Sequence, residues 1–216
     1  MVAIDGPAAS GKSSTARMVA ERLGVLHIDS GSLYRAATAA VLSAHPGAEW
    51  GEAEVLAAAR GVCLAPDTAA RAMIPLLGDR PLGEEIRSAL VTQHVSRVAQ
   101  MPGVREWVND AVRCAAVGRS VVVDGRDIGT VVFPDARVKI FLVADPWERA
   151  RRRLLQRSAR APTDEEIAAE TERLVRRDAM DATQTVQARD AILVDTTHLT
   201  QEEQVDRIVA LAHAAG

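Results

Sequence analysis

The feature that most constrains the fold of this chain is a glycine-rich loop, GPAASGKSS, which begins at Gly6 directly after the apolar run VAID. Gly6 and Gly11, followed by Lys12 and Ser13, satisfy every fixed position of the pattern G-x-x-x-x-G-K-[ST]. VAID predicts a short buried strand, and KSSTARMVAERL predicts a helix that ends at Gly24. A loop between such a strand and helix presents backbone N–H groups and the positive end of the helix dipole to an anion. We therefore predict that the loop binds phosphate.

Strands and helices alternate along most of the chain. VLHID, SVVVDG, VKIFLVA and AILVDT predict further short strands, with helical segments between them. Runs of β-branched residues such as SVVV are typical of strands that are buried on both faces of a parallel sheet. We predict a doubly wound α/β fold with a five-stranded parallel sheet, whose ligands bind at the carboxyl ends of the strands.

The middle of the chain departs from this alternation. Between about residues 45 and 101 the sequence predicts a helix near 52–60, two strand-like runs (VCL and MIPLLG) and a helix near 91–98. We interpret this segment as an insertion into the α/β fold.

Composition excludes several classes of protein. The net charge of −3, with no long run of one sign, argues against a nucleic-acid-binding surface. Cys63 and Cys114 lie far apart without neighbouring ligand residues, which predicts buried thiols rather than a zinc site or a disulfide. No apolar run approaches the roughly 18 residues that span a bilayer, so we expect a soluble cytoplasmic protein that does not bind membranes.

Two further polar clusters follow predicted strands. In DGRDIG, Asp124 can orient a hydrated metal ion, and Arg126 can bind phosphate through two hydrogen bonds. Four arginines then recur at helical spacing, and they form either a solvated face or a cover over phosphate groups: Arg149, Arg153, Arg157 and Arg160.

A later predicted helix carries four polar residues on one side, Arg173, Arg177, Asp181 and Gln184. Within it, Arg177 and Asp181 are either a surface ion pair or contacts to a ribose and its phosphate.

Because the chain lacks N-K-x-D and D-x-x-G motifs, it does not match a GTPase switch. The loop and the arginines favour phosphoryl transfer between two phosphorylated ligands. The motifs IDGPAASGKSS, DSGSLYRA, DGRDIGTVVFPDA and RRDAMD together resemble the bacterial cytidylate kinase family along almost the whole chain. The resemblance implies Mg²⁺-dependent transfer of the γ-phosphoryl group of ATP to CMP or dCMP. It also implies a monomer with a core (about 1–44, 102–148 and 179–216), an insertion that binds the nucleoside monophosphate (about 45–101) and a small lid (about 149–178).

The motifs themselves predict the donor-site and metal-site residues, and the resemblance implies those of the acceptor site. Lys12, Arg126, Arg153 and Arg177 are the expected catalytic residues, and Ser13 and Asp124 the expected Mg²⁺ ligands. The expected ATP-binding residues are Gly6, Pro7, Ala8, Ala9, Ser10, Gly11, Lys12, Ser13, Ser14, Arg149, Arg153 and Arg157. The expected acceptor-binding residues are Ser30, Tyr34, Arg35, Ser96, Arg105, Arg126, Asp127, Arg177 and Asp181. A carboxylate at Asp127 and a guanidinium at Arg105 would match the hydrogen-bonding groups of cytosine.

The sequence departs from the family pattern at Gln184, where the family usually has an arginine. Since glutamine carries no charge, we expect weaker acceptor binding or compensation by Arg176 or Arg189. Two alternatives stay open at this point. One is a P-loop kinase for another small acceptor such as AMP, UMP or shikimate, and the other is a nucleotide-binding regulatory module without transfer activity.

Overall fold

The computed structural model describes residues 1–158 and 160–215. The strands are β1 (Val2–Asp5), β2 (Leu26–Asp29), β3 (Val62–Asp67), β4 (Ala72–Leu77), β5 (Arg80–Pro81), β6 (Val121–Asp124), β7 (Val138–Val143) and β8 (Ile192–Asp195). The α-helices are α1 (Lys12–Leu23), α2 (Ser30–Ala44), α3 (Glu52–Ala59), α4 (Ala89–Ala99), α5 (Pro102–Ala116), α6 (Pro146–Arg157), α7 (Asp164–Asp181) and α8 (Gln201–Ala214). A 3₁₀ turn covers Glu84–Arg87 and a π-helical turn covers Ile128–Val132.

The chain forms two compact units, and the first consists of Met1–Gly24 and Val122–Gly216. Its strands lie side by side in the order β6-β1-β7-β8, and every neighbouring pair is parallel. The buried apolar side chains of β1 and β7, including Ile4, Ile140 and Leu142, form the centre of its core. Helix α1 packs against α8, and α6 packs against α7. The phosphate loop follows β1 in this unit, at the carboxyl end of the parallel strands.

The second unit, Val25–Val121, combines a small sheet with four helices. Strands β3 and β4 are antiparallel, β5 adds to β4 in the antiparallel sense, and β2 pairs with β4 in parallel. Helix α2 packs against α3 and α4 through buried side chains such as Leu33, Val41 and Val55. The two strand-like runs predicted for the insertion are therefore the two strands of a hairpin.

The prediction of a mainly parallel α/β fold is confirmed, with differences of detail. Four of the five predicted strands form the parallel sheet of the first unit, and β2 has a parallel neighbour in the second. The two compact units do not test the predicted division into core, insertion and lid, so that division stays a prediction. Within the described residues, no helix is both long and apolar enough to cross a membrane.

Three local expectations are wrong. Helix α6 ends at Arg157, so Arg160 lies beyond the predicted arginine face and forms an ion pair with Glu166 instead. Helix α7 ends at Asp181, and Gln184 lies in the following turn, where its backbone N–H donates to the Asp181 carbonyl at 3.0 Å. Both cysteine side chains are exposed rather than buried. Cys63 lies on β3, the edge strand of the second unit's sheet, and Cys114 lies on α5.

Candidate active site

The phosphate loop connects β1 to α1 and depends on its first glycine. A Cβ atom on Gly6 would lie 2.1 Å from the carbonyl oxygen of Leu142 on β7, and the φ of Gly6 is +146°. Only glycine therefore fits at this position. Gly11, with φ +89°, leads directly into α1. Between the two glycines, Ala9 has φ +57°, a left-handed conformation that is unfavourable for a residue with a Cβ.

Lys12 is held inside the loop. Its Nζ donates to the Pro7 carbonyl at 2.6 Å and to Ser10 Oγ at 3.4 Å, and the residue is only 6% exposed. Burial lowers the pKa of the Lys12 ammonium, and repulsion from Arg126 and Arg177 lowers it further, against the attraction of Asp124 and Asp5. An anion bound in the loop would relieve this repulsion, because it would supply the negative charge that the buried cations lack.

The two predicted metal ligands are in direct contact. Ser13 Oγ donates to Asp124 Oδ2 at 2.6 Å, although the residues are 111 positions apart. The hydroxyl lies in the first turn of α1, and the carboxylate is the last residue of β6 and only 2% exposed. One carboxylate, one hydroxyl and nearby phosphate groups form an oxygen donor set that suits Mg²⁺, which keeps several water ligands. The residues present therefore fit the ion that the resemblance implies.

Arg126 and Arg177, which are partly buried, form a second cluster in the same unit with the buried Asp181. Asp181 Oδ2 lies 3.4 Å from an Arg126 nitrogen and 3.7 Å from Arg177 Nε. In the described part of the chain, Arg126 Nε, Arg177 Nε and Asp181 Oδ1 are buried and make no hydrogen bond. Burial, and then repulsion from Arg126, lowers the pKa of the Arg177 guanidinium. Because buried polar atoms are almost always paired in folded proteins, these three atoms indicate a place for a polar ligand.

Asp5 anchors the turn that carries Arg126 and Asp127. Its carboxylate oxygens accept the backbone N–H groups of Ile128 and Gly129, each at 2.8 Å. The Asp127 carbonyl in turn accepts the N–H groups of the π-helical turn, and the residue is buried. Burial, helped by the charge of Asp127, raises the pKa of Asp5 to about 6 despite these two hydrogen bonds.

The structure places the three arginines predicted to bind ATP in two different environments. Arg153 Nε lies 3.0 Å from Glu170 on α7, and Arg157 lies 3.6 Å from the same, almost fully buried carboxylate. Burial lowers the pKa of Arg153 to about 10, and the neighbouring Arg157 contributes to the shift. Arg149 is 4% exposed and donates to the Ala8 carbonyl at 2.7 Å and to Asp178 at 2.6 Å. Arg149 therefore contacts the loop itself.

The remaining predicted acceptor residues belong to the second unit. Arg35, on α2, donates to Thr92 Oγ1 at 3.1 Å and to the Ile86 carbonyl at 3.4 Å. Arg105, near the start of α5, donates to the Ala99 carbonyl at 3.2 Å. The other predicted residues lie on α2 and α4, where two are buried and one is half-buried: Ser30, Ser96 and Tyr34. The predicted acceptor residues are thus divided between the two units, and their roles stay predictions.

The sequence did not single out Asp5, Glu170 or Asp178 as site residues. Asp5 carries a usable signal, because it is an acidic residue at the end of a buried strand, as Asp124 is. Asp178 lies inside the RRDAMD motif. Glu170 carries no local signal, since its partners are on another helix or one turn away on its own.

Comparisons with known proteins identify the family to which this chain belongs. The family model described as cytidylate kinase matches residues 2–214. The cytidylate kinase of Pelotomaculum thermopropionicum is 42% identical over 218 residues, which cover 99% of this chain and 96% of that protein. The cytidylate kinase of Acholeplasma laidlawii is 38% identical over 228 residues, with 99% and 95% covered. Among solved structures, shikimate kinase from Bacteroides thetaiotaomicron matches with a TM-score of 0.49 at 15% identity, over 98% of this chain and 97% of that one. The coverage and identity of the curated relatives place this chain in the cytidylate kinase family.

Proposed function

We propose that this protein transfers the γ-phosphoryl group of ATP to CMP and dCMP, giving CDP and dCDP, by in-line displacement without a covalent enzyme intermediate. The observation that carries the proposal is a group of three buried or partly buried cations in the first unit. Lys12 is buried and Arg126 and Arg177 are partly buried, and the positive charges of the three side chains repel one another. Such an arrangement costs stability unless an anion of high charge binds there. A nucleoside triphosphate and a nucleoside monophosphate supply that charge.

The donor is held by the phosphate loop. Its backbone N–H groups and the N-terminus of α1 would bind the β- and γ-phosphates, and Lys12 would exchange its bonds to Pro7 and Ser10 for bonds to phosphate oxygen. Lys12 is thereby positioned where charge develops as the γ-phosphoryl group moves. Ser13 and Asp124 would hold Mg²⁺, which neutralises phosphate charge when it is bound.

Arginine side chains stabilise the transferring group. Arg126 and Arg177 each keep a buried Nε atom without a hydrogen bond in the described part of the chain. These N–H groups are preorganised donors, so they cost little reorganisation when the transition state forms. Arg153 would assist by leaving Glu170 for a phosphate oxygen. Asp181, whose Oδ1 has no partner among the described residues, would accept a hydroxyl of the pentose.

The acceptor base is assigned from its chemistry. Cytosine offers an exocyclic amine as a donor, with N3 and O2 as acceptors. Asp127 would accept from the amine, and Arg105, with Ser96, would donate to N3 or O2. Uracil would place its C4 carbonyl against the carboxylate, and such mispairing of buried polar groups is strongly unfavourable. Ser30, Tyr34 and Arg35 would bind the rest of CMP, with Arg35 on its phosphate.

The test is an ADP-release assay against a panel of acceptors: CMP, dCMP, UMP, AMP and shikimate. We expect rapid turnover with CMP and dCMP and much slower turnover with UMP, AMP and shikimate. Preference for another acceptor would replace the substrate assignment. ATP binding without ADP release from any acceptor would favour a regulatory module instead.

We further propose that the protein acts as a monomer in the cytoplasm. Light scattering during gel filtration should then give a mass near the 23.1 kDa of a single chain. A mass of about twice that value would refute the monomer.

A further inference from the structure

One residue of the phosphate loop, Ala8, has both of its backbone polar groups bound by a single ion pair. The Ala8 N–H donates to Asp178 Oδ1 at 3.0 Å, and the Ala8 carbonyl accepts from an Arg149 nitrogen at 2.7 Å. The same Arg149 nitrogen lies 2.6 Å from Asp178 Oδ2, and Arg149 Nε donates to the Ala144 carbonyl at 3.1 Å. The Arg149–Asp178 pair thus closes a ring of hydrogen bonds around one peptide segment.

The surroundings of this ring are apolar and tightly packed. Ala8 packs with Ala150 of α6 and with Ile167 and Leu174 of α7, all of them buried, and the partly buried Ala9 packs against this cluster. Charge-assisted hydrogen bonds are stronger in such surroundings than in water. The ring therefore fixes Ala8 to α6 and α7.

The residue next to the ring is the one with unfavourable backbone geometry. Ala9 has φ +57°, a conformation that costs about 1 kcal/mol or more for a residue with a Cβ. Such a conformation persists only where the surrounding structure holds it in place. The two hydrogen bonds to Ala8 hold the residue directly before Ala9 in place. They therefore limit the backbone conformations that Ala9 can adopt.

We propose that Asp178 and Arg149 are positioning residues that hold Ala8 and Ala9 in the conformation in which the loop binds the donor phosphates. This inference rests on the proposed function, because it concerns the ATP site. It gives Arg149 a positioning role in place of the direct contact with ATP expected from the sequence, because its Nε bonds Ala144 and one of its terminal nitrogens bonds both Ala8 and Asp178. Both residues would act through the loop rather than on the reacting atoms.

The experiment compares Asp178→Asn with Glu172→Gln, a matched change of a carboxylate to an amide on the same helix. Glu172 is exposed and pairs only with the exposed Arg176 among the contacts described, so we expect wild-type kinetics from its variant. For Asp178→Asn we expect the KM for ATP to rise about tenfold, because the charge-assisted bonds around Ala8 are lost. The KM for CMP should change less than twofold. The melting temperature of each variant is measured alongside.

A second variant, Arg149→Lys, keeps the charge but cannot bond Ala8, Ala144 and Asp178 together. It should raise the KM for ATP similarly, and the double variant should lose less than the product of the two single effects. A KM for ATP within twofold of wild type in folded Asp178→Asn would overturn the proposal. So would equal rises in the KM values for ATP and CMP. If Asp178→Asn does not fold, Arg149→Lys decides by the same criteria. Failure of the proposed function looks different, because wild-type protein would then release no ADP with CMP.

Discussion

The close approach of Gly6 to β7 makes a quantitative prediction about the phosphate loop. In Gly6→Ala the new Cβ would lie 2.1 Å from the Leu142 carbonyl oxygen, well inside van der Waals contact, so either the loop or β7 must move by more than 1 Å. In Gly11→Ala, the nearest atom to the Cβ is Gln204 Oε1 at 3.6 Å, which is an ordinary contact. Both glycines have positive φ, +146° and +89°. Both variants thus place a Cβ on backbone with positive φ, and only Gly6→Ala adds a steric clash.

The cost of positive φ for alanine is about 1–2 kcal/mol, so Gly11→Ala should lower the free energy of unfolding by about that amount. Gly6→Ala should add about 1–3 kcal/mol for overpacking against backbone that cannot rotate away. Urea unfolding, followed by circular dichroism at pH 7, measures both free energies with their m-values. We expect Gly6→Ala to be the less stable variant by at least about 1 kcal/mol. Equal free energies of unfolding for the two variants would refute the reasoning, because the steric clash with Leu142 would then cost no stability.

Three further predictions follow from the site. Lys12→Ala should lower kcat about 100-fold or more, since it removes a charge aimed at the moving phosphoryl group, and wild-type turnover in the ADP-release assay would contradict the role of the loop. For Asp5, whose pKa is raised to about 6 from 3.8, the stabilising effect of the protonated carboxyl is present below pH 4 and lost as the pH rises through 6. The unfolding free energy of wild type minus that of Asp5→Asn should therefore fall by up to about 3 kcal/mol between pH 4 and pH 7 in urea titrations, whereas a constant difference would argue against the shift. Gln184→Arg should lower the KM for CMP by up to about fivefold if a charge beside the acceptor phosphate helps, and an unchanged KM would show that position 184 has no such role.

The elements around the phosphate loop could be predicted because their signals are local. The pattern from Gly6 to Ser13 fixes a strand, a tight loop and a helix within a short segment, and these elements occur where the sequence indicates. The contact between Ser13 and Asp124 also follows, since Asp124 ends β6 and Ser13 lies in the first turn of the helix that follows the neighbouring parallel strand β1. Parallel topology therefore brings distant residues together in a foreseeable way.

The partners of the arginines could not be predicted in the same way. Helical spacing places Arg149, Arg153 and Arg157 on one side of α6, but it does not say which residues of α7 they meet. That depends on the register between two helices joined by a segment without a strong pattern. The prediction that the thiols are buried failed for a similar reason. Cys63 lies on a six-residue edge strand, and the sequence of that strand does not show which of its faces is exposed.

Both lysines of this protein are buried, which limits how fast a chemical reagent can reach their amines. Lys12 is 6% exposed, and the only other lysine, Lys139, is 9% exposed and bonded to Asp190 at 2.8 Å. Reagents that acylate amines should therefore react only slowly with either lysine side chain. Slow acylation at Lys12 would then record how often the empty loop opens to solvent.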